Sequence, residues 1–130
     1  ADLDPVLYRR ARHVVSEMGR VEPVAVALAT GDTAALAALM REAHLSLSAD
    51  FDVSLPPIDR LAALVAEALG EAGGVRLTGA GFGGCLVAVT HKDATGAIDD
   101  AIARYNADAD LPARAEIFRP SDGAAPIVLG

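Results

Sequence analysis

Apolar residues recur at three- and four-residue intervals from about Pro5 to Thr30, where Val14, Val15, Met18, Val21, Val24 and Leu28 follow a helical period. One long helix is predicted. Pro23 lies inside it and should kink or split it, because proline donates no N–H and crowds the carbonyl four residues back. Gly31 stops the helix, and Asp32 or Thr33 caps the next one. That second helix runs to about Leu47, with Leu36, Leu39, Met40 and Leu47 on one face. Ser48-Ala49-Asp50 and the stretch to Pro57 read as a loop. Ser54 followed by Pro56 and Pro57 signals a third helix. It carries Ile58, Leu61, Leu64, Val65 and Leu69 and is ended by Gly70, Gly73 and Gly74.

The period then changes. Val75-Arg76-Leu77-Thr78 alternates apolar and polar, as a half-buried strand does. A glycine-rich stretch follows, and then Cys85-Leu86-Val87-Ala88-Val89, a continuous apolar run expected of a central strand. Asp93 or Thr95 caps a fourth helix through about Asn106, with Ile98, Ile102 and Tyr105 inward. Ala113 to Phe118 reads as a third strand and Ile127-Val128-Leu129 as a short fourth. The strands around the glycines are joined too closely for a parallel crossover, so they pair antiparallel. The fold class is therefore α+β, a small antiparallel sheet with helices packed on one face, in a single domain over residues 1–130.

Composition narrows the function. With 52% hydrophobic residues the chain has material for a packed core, although much of it is alanine, which buries little area. A net charge of −7, with no cluster of Lys/Arg and aromatics, excludes a nucleic-acid surface. It also means that any phosphate must be attracted locally, by backbone N–H groups or a partner domain. The one cysteine, Cys85, excludes an internal disulfide and a cysteine metal site; it reads as a small core residue and fits a reducing compartment. No apolar run approaches the length of a membrane span. His13, His44 and His91 match no metal-ligand spacing, and helix hydrogen bonding is the expected role of the first two. Asp50 and Asp52 read as loop-solvated or capping residues rather than a carboxylate pair. The start at Ala1, running straight into a helical pattern, reads as a processed or trimmed fragment.

The chemistry concentrates in Gly79-Ala80-Gly81-Phe82-Gly83-Gly84. The spacing fits G-x-G-x-x-G, but a strand follows where a dinucleotide fold needs a helix, and the partner motifs of protein kinases are missing. Four glycines in six residues permit positive φ and close backbone approach. Such a loop serves either as an anion cradle of exposed N–H groups or as a bulged hairpin corner packed on a neighbour.

The segment Arg76-Leu77-Thr78-Gly79-Ala80-Gly81-Phe82-Gly83-Gly84-Cys85 resembles the third motif of the galactokinases, a branch of the kinase superfamily named for galactose, homoserine, mevalonate and phosphomevalonate. Three more segments resemble that family in order: Arg10 to Glu17, His44 to Leu47 with Asp50 to Ser54, and Phe118 to Ala124. The family pattern carries Ser-Leu-Arg-Asp-Asp where this chain has Ser46-Leu47-Ser48-Ala49-Asp50, and Glu-Asn where it has Glu17-Met18. The resemblance implies the ferredoxin-like C-terminal domain of a cytoplasmic sugar kinase that moves the γ-phosphate of ATP, with Mg²⁺, to galactose. It implies that Gly79, Ala80, Gly81, Phe82, Gly83 and Gly84 form the phosphate-side wall of the cleft. Catalytic and metal-binding residues are implied in an N-terminal partner domain and not in this chain, which alone should be inactive. The rival readings are another kinase of the superfamily acting on a different sugar or alcohol, and a non-catalytic ligand-binding or sensor module.

Overall fold

The computed structural model describes residues 3–120. These residues form four α-helices and a two-stranded antiparallel sheet. Helix α1 spans Pro5–Thr30, α2 Thr33–Ser46, α3 Pro56–Leu69 and α4 Thr95–Asn106; strand β1 spans Gly73–Thr78 and β2 Cys85–Thr90. The pairing runs in register from Gly73 opposite Thr90 to Thr78 opposite Cys85, so the glycine stretch is the hairpin loop. The α+β class and the antiparallel hairpin follow the sequence reading.

Capping explains where α1 begins and ends. The Asp4 carboxylate accepts from the N–H groups of Val6 and Leu7, and Gly31 takes the left-handed conformation, φ 69°, that closes the C-terminus. Of the kink or split expected at Pro23, the split does not occur: α1 runs through it. Side chains on both sides of it, Glu17 and Arg20 before and Val24 and Ala27 after, face the rest of the domain, and these contacts carry the helix across one missing hydrogen bond. Asp32 caps α2 by accepting from Ala35 N–H at 2.9 Å. Neither Asp93 nor Thr95 caps α4; a 3₁₀ turn at Lys92–Ala94 leads into it instead.

The apolar core lies between α3, α4 and the hairpin. Val65 and Leu69 of α3, Val75 of β1 and Ala101 of α4 are buried together, with Leu61, Leu86 and Ile98 packed around them. Burying a side chain of this size contributes about 1.5–3 kcal/mol. On the other side α2 runs against β1. A Cβ on Gly74 would stand 2.8 Å from the Met40 sulfur and 3.1 Å from the Ala37 Cα, so glycine there permits the close packing of helix on strand. Gly73 and Gly74 are thus the buried start of β1, and Gly70 alone, at φ 54°, ends α3.

Three more expectations are corrected. The stretch after Leu47 is no loop at its start: Leu47–Phe51 forms a π-helical turn that extends α2 and buries Asp50. β2 is half-covered rather than central. Leu86 and Ala88 face the helices, while Val87 and Val89 lie open and Cys85 is exposed rather than a core residue. Ala113 to Phe118 forms no strand, since no neighbour among the described residues offers a ladder to it; Ile117 and Phe118 are exposed. The segment is tied at its start, where Asn106 exchanges two hydrogen bonds with the Ala113 backbone. Ile127-Val128-Leu129 lies outside the described residues.

Candidate functional site

The hairpin places Gly79, Ala80, Gly81, Phe82, Gly83 and Gly84 in one loop. Gly79, Gly81, Gly83 and Gly84 have φ of 87°, 82°, 125° and 97°, a region that side-chain-bearing residues rarely adopt. Phe82 adopts it too, at φ 56°, and the residue is 71% exposed. Among the described residues one other non-glycine does so, Asp52 at φ 60°. The two are next to the same contact. Phe82 N–H donates to the Val53 carbonyl at 2.7 Å, and a Cβ on Gly81 would lie 2.6 Å from that oxygen and from the Val53 Cβ. The loop is therefore braced on Val53 along one side. A Cβ on Gly79, Gly83 or Gly84 would meet nothing within 4 Å, so among the described residues the other side is open.

Val53 is itself fixed by the π-helical turn, since its N–H donates to the Leu47 carbonyl at 3.2 Å. That turn is held to α1 by polar contacts. Arg12 forms a two-pronged pair with the Asp50 carboxylate, its Nε donating at 3.0 Å to Oδ2 and its terminal nitrogen to Oδ1. Arg10 donates to the Asp50 carbonyl and, at 3.2 Å, to the Asp52 carboxylate. His13 stacks on Phe51 at 4.4 Å between ring centres, and its Nδ1 is 2.9 Å from the Ser46 hydroxyl, which in turn donates to Asp50 Oδ2 at 3.4 Å. Arg12 and then Ser46 hydrogen-bond the ionised Asp50, holding its carboxyl below the usual carboxylate range against the opposing effect of burial; the same pairing raises Arg12.

Two more links reach the hairpin. Arg76 of β1 pairs with Glu17 of α1 at 2.9 Å, and Glu17 also holds Arg20 at 2.8 Å. His44 of α2 accepts at Nδ1 from the buried Leu77 N–H at 3.1 Å, which leaves its proton on Nε2. That nitrogen sits 3.1 Å from Asp59 Oδ1, but too far off line for a good hydrogen bond. Asp59 is otherwise held by Ser48 and Ser54. So His13 and His44 take helix hydrogen-bonding roles as expected, whereas Asp50 is no solvated loop residue but the buried centre of an ion pair.

Sequence reasoning located the loop but missed its support. Val53, Asp50 and Arg12 are the residues that position it, and the last two are 38 positions apart. The available signal was the Asp50-Phe51-Asp52 segment following a helix, opposite an Arg-x-Arg-His run on another. Away from this site, a cavity of about 500 Å³ opens between α2 and α3, floored by Ala62, Ala66 and Val75; no residue of the loop lines it.

A glycine-loop hairpin flanked by helices defines an α+β domain with a braced, half-open backbone loop. Residues 24–108, more than half of the chain, match the family described as GHMP kinases C terminal, and the chain belongs to that family. The match contains the loop and its Val53 brace. The α1 residues Arg10 and Arg12, and the tail from Phe118, lie outside it. Among the described residues no helix is long and apolar enough to cross a membrane.

Proposed function

We propose that this chain is the C-terminal domain of a galactokinase-type sugar kinase and lends its glycine loop to the phosphate side of the cleft. The observation that carries the reading is the loop itself. The segment most like the galactokinase motif, Arg76 to Cys85, is a hairpin whose glycines are pinned on Val53 at one side and open at the other. The Phe82 amide is engaged by Val53. The amides of Gly79, Ala80, Gly81, Gly83 and Gly84 are the ones this reading assigns to phosphate oxygens of ATP or to bracing a phosphate loop of the partner domain. Backbone donors suit an acidic chain, because they attract an anion at contact without a field of side-chain charge. No residue of this chain is assigned to Mg²⁺, to the catalytic base or to the sugar. Those roles go to an N-terminal domain, and the parent reaction is transfer of the ATP γ-phosphate to the anomeric hydroxyl of galactose. Positioning and charge stabilisation are what this chemistry requires of a protein.

The test is Gly81→Val in the parent kinase, assayed with ATP and galactose. A Cβ there meets Val53 and a β-branched residue resists positive φ, a strain of about 1–3 kcal/mol. If the strained loop misplaces phosphate by that free energy, kcat falls about 5- to 150-fold while the melting profile keeps its shape. Normal kcat in the folded variant would reduce the loop to a hairpin corner. Normal turnover of another alcohol with none of galactose would keep the kinase and reject the galactose reading.

A further inference from the structure

His44 lies in the last turn of α2, against β1 on one side and α3 on the other. It is buried, and its two ring nitrogens face different neighbours. Nδ1 accepts from the Leu77 N–H of β1 at 3.1 Å. Nε2 lies 3.1 Å from Asp59 Oδ1 of α3 and makes no hydrogen bond. The Asp59 oxygens accept instead from the hydroxyls of Ser48 and Ser54. Asp59 is the charged group that the ring touches among the described residues. Arg41 and Glu67 line the cavity beside His44, with Glu67 paired to Arg104 of α4. Arg76 of β1 is paired with Glu17 of α1, and Glu42 of α2 with Arg20 of α1. His13 of α1 reaches Ser46 rather than His44.

A ring nitrogen that accepts a hydrogen bond carries no proton, so the tie to Leu77 exists only in the neutral imidazole with its hydrogen on Nε2. A second proton puts an N–H on Nδ1, facing the N–H of Leu77. Two donors then meet without an acceptor at a fully buried residue. On the other side of the ring the new positive charge lies against the Asp59 carboxylate, which favours it. Protonation therefore removes the tie to β1 and supplies one to α3 in the same step. Leu77 stands two residues before Gly79, where the glycine loop begins. The loop is held at Val53 through Phe82, and its leading strand is held at Leu77 through His44. A proton on His44 releases the second of these holds and leaves the first.

We propose that His44 is a pH-sensitive latch on the glycine hairpin: neutral, it holds β1 at Leu77; protonated, it pairs with Asp59 and lets that end of β1 go. The proposal does not depend on which reaction the loop serves. It is tested by nuclear magnetic resonance on the 130-residue chain from about pH 8 to about pH 5, the range in which histidine changes charge. The Asp50 carboxyl, held below the usual carboxylate range, keeps its charge throughout. Ring nitrogen shifts report the protons on His44, and Leu77 amide exchange, corrected for its intrinsic pH dependence, reports the latch. At the alkaline end the ring should carry its proton on Nε2 and Leu77 should be protected. As Nδ1 gains a proton, protection at Leu77 should fall at least about fivefold, with the same midpoint. His44→Asn sets an amide oxygen near the place of Nδ1 and does not titrate. It should keep Leu77 protected at every pH in the range, with His13 and His91 still present. Asp59→Asn should move the ring and amide midpoints together to lower pH. The proposal is overturned by a proton on Nδ1 at the alkaline end, or by a ring that stays neutral until the chain unfolds. Protonation of His44 without change at Leu77 overturns it, as does a pH-dependent loss that persists in His44→Asn. A midpoint unmoved by Asp59→Asn overturns it too. If His44→Asn fails to fold, the wild-type midpoints and Asp59→Asn still decide.

Discussion

The two sides of this small domain are held by opposite chemistry. Between α3, α4 and the hairpin the contacts are apolar, with Val65, Leu69, Val75 and Ala101 closed on one another. Between α1 and the π-helical turn they are mostly polar, built from Arg10, Arg12, His13, Ser46 and Asp50. Both sides include a helix with a clear apolar stripe. In α3 the stripe faces the core; in α1 it faces out, and the polar side does the packing. An apolar period therefore identifies a helix without fixing which face is covered. That depends on what the neighbouring segment offers, and the turn at Leu47–Phe51 offers a buried carboxylate.

The contrast can be broken at its apolar end, where the largest effect is expected. Leu69→Ala removes a side chain that is 4% exposed and leaves a cavity against Val75 and Ala101. A loss of about 2–5 kcal/mol in urea unfolding is expected. Val15→Ala, a comparable truncation on the outer face of α1 at 69% exposure, should change stability by no more than about 0.5 kcal/mol. Similar losses for the two would mean that α1 packs by its apolar face after all.

His44 joins the two sides, and its effect should be intermediate. Its ring nitrogen satisfies the N–H of Leu77, a residue 1% exposed, at a place where β1 has no strand neighbour on that edge among the described residues. His44→Ala orphans that donor, at a cost of about 1–3 kcal/mol. Amide hydrogen exchange at Leu77 should accelerate with it. Unchanged protection at Leu77 would show that the hairpin is held without the imidazole.

These effects track what the sequence made visible. The helices of the apolar side, the hairpin and the glycine loop follow from local periods and turn residues, because each is decided within a window of a few residues. The polar side was hidden. Ser48-Ala49-Asp50 is polar and short, so it reads as loop; Arg12, which arrives from 38 positions away in sequence, is with Ser46 what makes burial of Asp50 tolerable. Val53 carries no chemical mark, and it acts through its carbonyl. Ala113 to Phe118 errs in the other direction, since it ends in strand-forming residues but has no strand beside it among the described residues. Cys85 and Val87 lie exposed for a related reason: among the described residues the sheet has two strands, and the end of β2 near the loop is left uncovered on that face.

The smallest expected effect tests whether charge, rather than shape, holds the polar side. Asp50→Asn keeps the outline of the side chain and an oxygen to accept from Arg12, so it removes mainly the negative charge. The folded state holds the Asp50 carboxyl below its ordinary value near 3.8, first through the Arg12 hydrogen bonds. A carboxyl with a depressed folded pKa contributes stability above its unfolded pKa and loses it as pH falls through the folded one. The wild type should therefore melt higher than Asp50→Asn at neutral pH, and the gap should close on acidification below about 3.8. Asp52→Asn is the control, because Asp52 pairs with Arg10 from a side chain that is 73% exposed, and its loss should cost little at neutral pH. A gap at Asp50 that persists unchanged into strong acid would mean that the carboxylate acts by shape, and that α1 is docked by the His13–Phe51 stack and the arginine stems instead. A gap that closes would leave the ion pair as the contact that seats the π-helical turn. Val53, and with it the braced side of the glycine loop, would then depend on the charge of a residue that never touches the loop.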